Sequence, residues 1–163
     1  MGLGAGVSRP ADAVALLAEV RAAQAELGTG SPEDALAAVT PLLDRTHAAV
    51  TAPSFVTGSA TARRTALEAY CYARVTAILA LESVGAREAV PRIRALAAEA
   101  RDVAGPGTPG WKVQCAAAEM LSRCGDGQGA ALAIGAAARQ APEERYVGEL
   151  RASLRSMFPD AVS

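Results

Sequence analysis

The sequence has few aromatic residues, one histidine and three cysteines, and each shortage narrows the classes of protein it can belong to. Aromatic residues make up 4% of the 163 residues, and β-branched residues are sparse outside residues 50–65. Strands are rich in both kinds of residue, so a sheet is disfavoured. An odd number of cysteines without regular spacing does not form a disulfide framework and fits a reducing compartment.

Lysine and long apolar runs are also scarce. Every basic residue except Lys112 is an arginine, and the formal net charge is −1, so nothing draws the whole chain to nucleic acid or to an anionic membrane. No uncharged apolar run approaches the roughly 18 residues of a membrane span. Residues 1–17 lack a basic start, and Asp12 interrupts their apolar run, unlike a secretory leader. We therefore expect a cytoplasmic protein with no membrane partner.

Alanine is abundant, with 40 of the 163 residues, and it is the strongest helix former. Apolar residues recur at helical spacing in seven segments bounded by glycine, proline or capping residues. Ser31 is the predicted cap of the second helix, Thr61 that of the third, and Pro142 opens the last. The chain is thus predicted to be all-α, with helices over residues 10–27, 32–50, 61–84, 87–103, 110–124, 128–140 and 142–157.

The predicted helices form pairs. Tight turns at Gly28, Gly85 and Gly125 predict helical hairpins over about 10–50, 61–103 and 110–140, followed by the helix 142–157. The looser segments 51–60 and 104–110 separate the hairpins. Residues 73–97 align within residues 112–138 at an offset of 40, which places Leu81 on Leu121 and Gly85 on Gly125. This internal repeat predicts a single repeat domain over residues 1–163.

Two stretches carry a resemblance to a known family: AILALESVGAREAVPRI (77–93) and AAAEMLSRCGDGQGAALAI (116–134). Each is similar to the apolar helix, glycine turn and second helix of the HEAT-like repeat family. The resemblance implies a right-handed α-solenoid of about three helical hairpins with a C-terminal capping helix, in which second helices line a concave groove. The sixth helix departs from the pattern, because Gly135 and small side chains stand where the family has leucines.

The fourth predicted helix carries a candidate binding surface. Its arginines at positions 87, 94 and 101 recur every seven residues and therefore stay on nearly one side of the helix, opposite its apolar face. Guanidinium groups on a concave face could hold carboxylates or phosphates, although such a stripe can also be an ordinary solvated face. Tyr72 and the loop aromatics could anchor a partner or tuck back over the helices. The candidate binding residues are Arg63, Arg64, Arg87, Arg94, Arg101, Tyr72, Phe55 and Trp111.

The reactive residues form no recognisable chemical motif. Cys115 and Cys124 are nine residues apart, so they point to opposite sides of one helix and cannot share a metal. We expect Cys124 in the core, Cys115 against a neighbouring repeat or solvent, and Asp126 as a helix cap. His47 and Cys71 lack a motif that would make them a nucleophile and its base. The sequence therefore predicts no catalytic residue, no metal site and no cofactor.

The function predicted from these features is a non-catalytic scaffold that binds a protein or peptide, with an acidic segment favoured by the arginine stripe. Most HEAT-like proteins bind proteins or peptides. The alternatives are a HEAT-like enzyme (a DNA base glycosylase or a chromophore lyase), an accessory protein of a biosynthetic pathway, and a self-associating structural piece. A glycosylase needs a strongly basic groove, so the net charge and the single tryptophan weigh against a nucleic acid partner.

Overall fold

The computed structural model describes residues 10–163, with side chains from residue 12, and the regular elements of this part are helices. The prediction of an all-α fold is confirmed for these residues. None of the described helices is both long and apolar enough to cross a membrane. The helices are α1 (Pro10–Thr29), α2 (Pro32–Thr51), α3 (Pro53–Thr57), α4 (Ala60–Ala80), α5 (Ala86–Val103), α6 (Gly110–Arg123), α7 (Gly127–Gln140) and α8 (Arg145–Met157).

The helix ends follow local capping chemistry. Ser31 caps α2 as predicted, since its Oγ accepts a hydrogen bond from the backbone N–H of Asp34 at 3.1 Å. Thr61 does not cap α4; Ser59 does, accepting from the N–H of Ala62. Helix α4 ends at Ala80 and a 3₁₀ turn, Leu81–Val84, completes the predicted segment. Helix α4 therefore begins one residue before the predicted start at residue 61, and the last four residues of the predicted helix form a 3₁₀ turn.

Two segments differ more from the sequence prediction. The predicted break at 51–60 contains the short helix α3, which Pro53 opens at its first position, where a missing N–H costs nothing. The last helix begins at Arg145 and not at Pro142. The N–H of Glu144 bonds to the carbonyl of Ala141 at 3.1 Å, so Pro142 occupies the second position of a turn that comes before the helix.

The chain divides into two compact units, which meet in sequence between Ala80 and Leu81. In the first unit, α4 packs against both α1 and α2, and these two also pack together. More than half of the residues of α4 are buried, as expected of a helix covered by neighbours on most sides. Alanines line many of the contacts, and the larger buried apolar side chains are chiefly Leu16, Val20, Val39, Leu42, Val50, Tyr70 and Ile78.

In the second unit, α6 is the central helix. It packs against α5, α7 and α8, and its residues 113–118 are buried without interruption. Such a run covers every direction around the helix axis, which requires neighbours on all sides. The remaining core consists of inward-facing side chains of the surrounding helices, chiefly Ala89, Ile93, Ala97, Ala133, Ile134, Val147 and Leu154.

The turn between α6 and α7 is a Schellman motif. The N–H of Asp126 donates to the carbonyl of Leu121 at 2.8 Å, and that of Gly125 donates to Ser122 at 3.0 Å. Gly125 has a φ of 79°, and Gly85, its counterpart in the internal repeat, has a φ of 84°. Both glycines therefore adopt a backbone conformation that other residues reach only with strain.

The left-handed turn gives a stability prediction. We expect Gly125→Ala to lower the free energy of unfolding by about 1 kcal/mol, because alanine is strained at positive φ. Gly148→Ala is the matched control, since Gly148 lies inside α8 with open space where a Cβ would be. Alanine there should raise the free energy of unfolding by up to about 1 kcal/mol. Urea unfolding followed by circular dichroism measures both, and an unchanged or stabilised Gly125→Ala protein would contradict the assignment of the turn.

Candidate functional site

The middle arginine of the predicted stripe is held within the second unit. Arg94 reaches from α5 to the start of α7, where Nε donates to Asp126 Oδ2 at 2.6 Å and Nη2 donates to Oδ1 at 2.5 Å. Two parallel bonds of this kind match the planar shapes of guanidinium and carboxylate. The Arg94 side chain is 47% exposed and that of Asp126 is 12% exposed. The pair thus ties α5 to the α6–α7 turn at the edge of solvent.

Asp126 also caps α7, as the sequence predicts. Its Oδ1 accepts a hydrogen bond from the N–H of Gly129 at 3.0 Å. A Cβ at position 129 would lie 2.2 Å from Asp126 Oδ2 and 3.0 Å from Arg94 Nε, so only glycine leaves room for the pair. The hydrogen bonds from Arg94, supported by the Gly129 N–H, lower the pKa of Asp126. The same hydrogen-bonded carboxylate raises the pKa of Arg94.

The other two arginines of the stripe have different surroundings. Arg101 is half-buried, and its Nη1 donates to the side-chain Oε1 of Gln114 at 3.0 Å. Gln114 is fully buried in α6, and its amide nitrogen donates to the carbonyl of Ala97 at 2.9 Å. Arg87 lies exposed in the first turn of α5. The stripe is therefore engaged in holding α5 to its neighbours at two of three positions, while the binding role of all three stays a prediction.

The candidate residues of the first unit are dispersed around α4. Arg63 donates to the backbone carbonyls of Val56 and Gly58 and so fastens the α3–α4 connection, while Arg64 is exposed. The guanidinium of Arg21 on α1 lies over the Tyr72 ring, 5.2 Å from its centroid, a cation–π distance.

The loop aromatics are half-buried, each within its own unit. Phe55 lies in α3, and Trp111 lies in the first turn of α6, with the Lys112 ammonium 5.6 Å from the centre of its ring. The predicted site residues thus fall into both units. Within each unit their described contacts are separate.

The cysteines are thiols with unequal exposure. Cys71 and Cys115 are buried, and burial raises the pKa of each thiol to about 12. Glu119 and Glu144 further disfavour the thiolate of Cys115. The expected position was wrong for Cys124, which is half-buried and not in the core, whereas Cys115 is buried, which excludes solvent from the two alternatives given for it. The reason is that α6 ends at Arg123, which leaves Cys124 at the helix end beside the turn.

His47 lies against Tyr70, with ring centroids 6.4 Å apart and planes inclined by 41°. The histidine is on α2 and the tyrosine on α4, so the ring contact contributes to the packing of these two helices. Among residues 12–163, no three His, Cys, Asp or Glu side chains come together in an arrangement that could hold a metal ion.

A buried arginine is the feature of the first unit that sequence reasoning missed. Arg74 is only 1% exposed, and its guanidinium donates to Thr46 Oγ1 at 2.8 Å and to the Leu43 carbonyl at 3.0 Å. It also lies 3.6 Å from the centre of the Tyr70 ring. A buried charge is costly unless it is well hydrogen-bonded, so these contacts join α2 firmly to α4. Nothing in the helical pattern distinguishes Arg74 from the exposed arginines.

The second unit contains a groove that the arginine pattern did not indicate. It has a volume of about 620 Å³ and runs along the outward side of α7, beside α8 and the final residues of the chain. Leu132 is 58% exposed there. The small residues of the sixth predicted helix were its sequence signal, since Ala131, Gly135 and Ala138 line the groove and fill little of it. The α7 residues of the groove are Gln128, Ala131, Leu132, Gly135, Ala138 and Arg139.

The opposite wall of the groove is formed by Arg151 of α8 and by the residues that follow this helix. Arg151 Nε and Arg155 Nη2 donate to the carbonyl oxygen of Ser163 at 3.1 and 2.8 Å. At its other end the segment is held by Phe158, because a Cβ at Gly127 would lie 2.7 Å from Cδ1 of the Phe158 ring. Val162 is buried. Contacts within the chain thus hold the wall along α7.

The Arg94–Asp126 pair generates a prediction on stability. Asp126→Ala should lower the free energy of unfolding by about 1–2 kcal/mol, because the cap and the ion pair are both lost. Asp126→Asn should cost less than about 1 kcal/mol, because asparagine still caps. Urea titrations measure these changes. Arg94→Gln should also destabilise, whereas Arg87→Gln, at an exposed position of the same helix, is the control and should have no effect.

The same pair predicts a pH dependence. The pKa of Asp126 is lowered in the folded protein, so its carboxylate stabilises the fold above its unfolded pKa of about 3.9. This contribution is lost as the pH falls through the lower folded value. The stability difference between the wild type and Asp126→Asn should therefore shrink in acid. A difference that stays constant down to the acid transition would contradict the role of the charge.

The burial of the cysteines predicts their reactivity. In the folded protein a disulfide reagent such as dithionitrobenzoate should modify Cys124 alone, because a thiol with a raised pKa in the core carries almost no thiolate. All three cysteines should react after unfolding in urea. Cys124→Ser should abolish the fast phase in the folded protein. Rapid modification of Cys71 or Cys115 without unfolding would show that the core is more open than described.

Comparisons with known proteins identify no relative of this chain. No family model, no curated protein and no solved structure matches the chain. The HEAT-like resemblance of residues 77–93 and 116–134 therefore stays a prediction, and function has to be argued from the described side chains.

Proposed function

We propose that this chain is a protein- or peptide-binding module and that its binding surface is the groove beside α7. The groove carries this proposal because its volume of about 620 Å³ lies within the range of ligand sites in proteins. Its floor combines the exposed Leu132 with small side chains, and arginines lie at its edge. Polar groups make up more of the lining than apolar groups do, and polar groups placed in this way fix the orientation of a bound ligand.

The fixed wall of the groove supports binding without rearrangement. Phe158 packs on Gly127, and two arginines hold the Ser163 carbonyl, so a partner would not have to order this segment. Preformed sites lose less conformational entropy on binding. We also propose that the helical hairpins form a right-handed HEAT-like solenoid. The partner would then make further contacts with the concave face of this solenoid. Arg87, which is exposed, is the stripe residue best suited to such contacts.

The described thiols and the single histidine give less support to an enzyme. Cys71 and Cys115 are buried with a raised pKa, which is the opposite of an activated nucleophile. His47 packs on the Tyr70 ring. By contrast, the groove presents the exposed side chain of Leu132 to solvent, and a partner would gain from covering it. A scaffold role is therefore the function that the described contacts favour.

A peptide selection tests the proposal. Short random peptides displayed on phage are selected on the immobilised chain, and the affinities of enriched peptides are measured by fluorescence anisotropy. Leu132→Asp should weaken them about tenfold or more, because a charge replaces the apolar floor. Val56→Asp is the matched control, since Val56 is 75% exposed on α3. The absence of enriched peptides, or equal binding to both variants, would refute the groove as a binding site.

A further inference from the structure

We infer, on the basis of the proposed function, that the occupant of the groove is a peptide segment that places one carboxylate on Arg139. The inference rests on how the charges of the groove are arranged. Two arginines, Arg139 and Arg151, and one carboxylate, Asp160, line it, and these charged groups have different surroundings.

Arg139 is the arginine available to a ligand. It is exposed in the last turn of α7, and its Nη1 lies 3.5 Å from the position that a Cβ of Gly135 would take. The guanidinium therefore lies across bare helix backbone on the floor of the groove. No ion pair or side-chain hydrogen bond joins it to another residue of the described part. Arg151, in contrast, donates its Nε to the Ser163 carbonyl.

A carboxylate is the group that complements Arg139. A guanidinium can donate two parallel hydrogen bonds to it, and such charge-assisted bonds are about twice as strong as neutral ones. Gly135, Ala131 and Ala138 leave the floor shallow, so the backbone of a bound segment can approach α7 and bring a short or long acidic side chain to Arg139. The apolar contact with Leu132 would lie seven residues, about two helical turns, before Arg139.

Asp160 limits the ligand to a few negative charges. It lies two residues beyond Phe158, whose ring contacts Gly127 at the N-terminal end of α7; Arg139 lies near the other end, about 18 Å along the helix axis. A run of acidic residues or a nucleic acid backbone that filled the groove would bring negative charge to Asp160 and be repelled. The arrangement favours a peptide with one acidic residue over any polyanion.

Two peptide arrays test this inference. Both contain the same random short peptides, with a fixed central glutamate in one array and glutamine in the other, and binding of the labelled chain is measured. We expect about tenfold stronger binding to the glutamate array, and equal binding of both arrays by Arg139→Gln, because the amide cannot form the ion pair. Arg145→Gln is the matched control and should keep the preference for glutamate, because Arg145 is 90% exposed on α8 and does not line the groove.

The outcomes separate the inference from the proposed function. If both arrays bind equally well to the wild type and Leu132→Asp abolishes both, the groove binds peptides but the carboxylate inference is wrong. If neither array binds, the proposed function fails together with the inference. A third array with three adjacent glutamates should bind more weakly than the single-glutamate array, and Asp160→Asn should reduce that difference. Displacement of the peptides by polyphosphate or single-stranded DNA at low concentration would assign the groove to a polyanion and overturn the inference.

Discussion

Close packing of alanine-lined helices is the constraint on which both units depend. A helix that touches its neighbours through alanines gains little apolar area per residue, because a methyl group buries far less surface than a leucine side chain. Each unit therefore surrounds one central helix, α4 or α6, so that alanines on every side are covered. Polar side chains supply part of the cohesion: Arg74 joins α2 to α4, and Gln114 joins α6 to α5.

This packing decides which arginines are bonded within the fold and which stay available to a partner. Three arginines lie in helices, as the exposed arginines do, yet they are bonded within their own unit. Arg74 donates to a carbonyl, Arg94 to a carboxylate and Arg101 to a side-chain amide. A guanidinium with five donors can bridge helices that alanine brings close together. The arginines left to a partner are therefore those without such neighbours, and Arg139, which lines the groove beside α7, is one of them.

The groove also results from the small size of the side chains. Where α7 has glycine and alanine on its outward side, no large residue fills the space beside α8 and the final segment. Phe158 and the arginines of α8 hold that segment in place at both ends. The segment that follows α8 is thus held along α7, and the two together form the surface to which we assign binding.

The sequence by itself determined the helices, since alanine content, apolar spacing and local caps act over a few residues; Ser31 and Asp126 cap as predicted. It also indicated the turn at Gly125, whose φ only glycine adopts easily. Tertiary structure alone decided which arginines are satisfied, that Cys115 is buried, and that α7 borders a groove. These depend on residues far apart in the chain: Asp126 is 32 residues from Arg94, and helical periodicity carries no information about contacts at that separation.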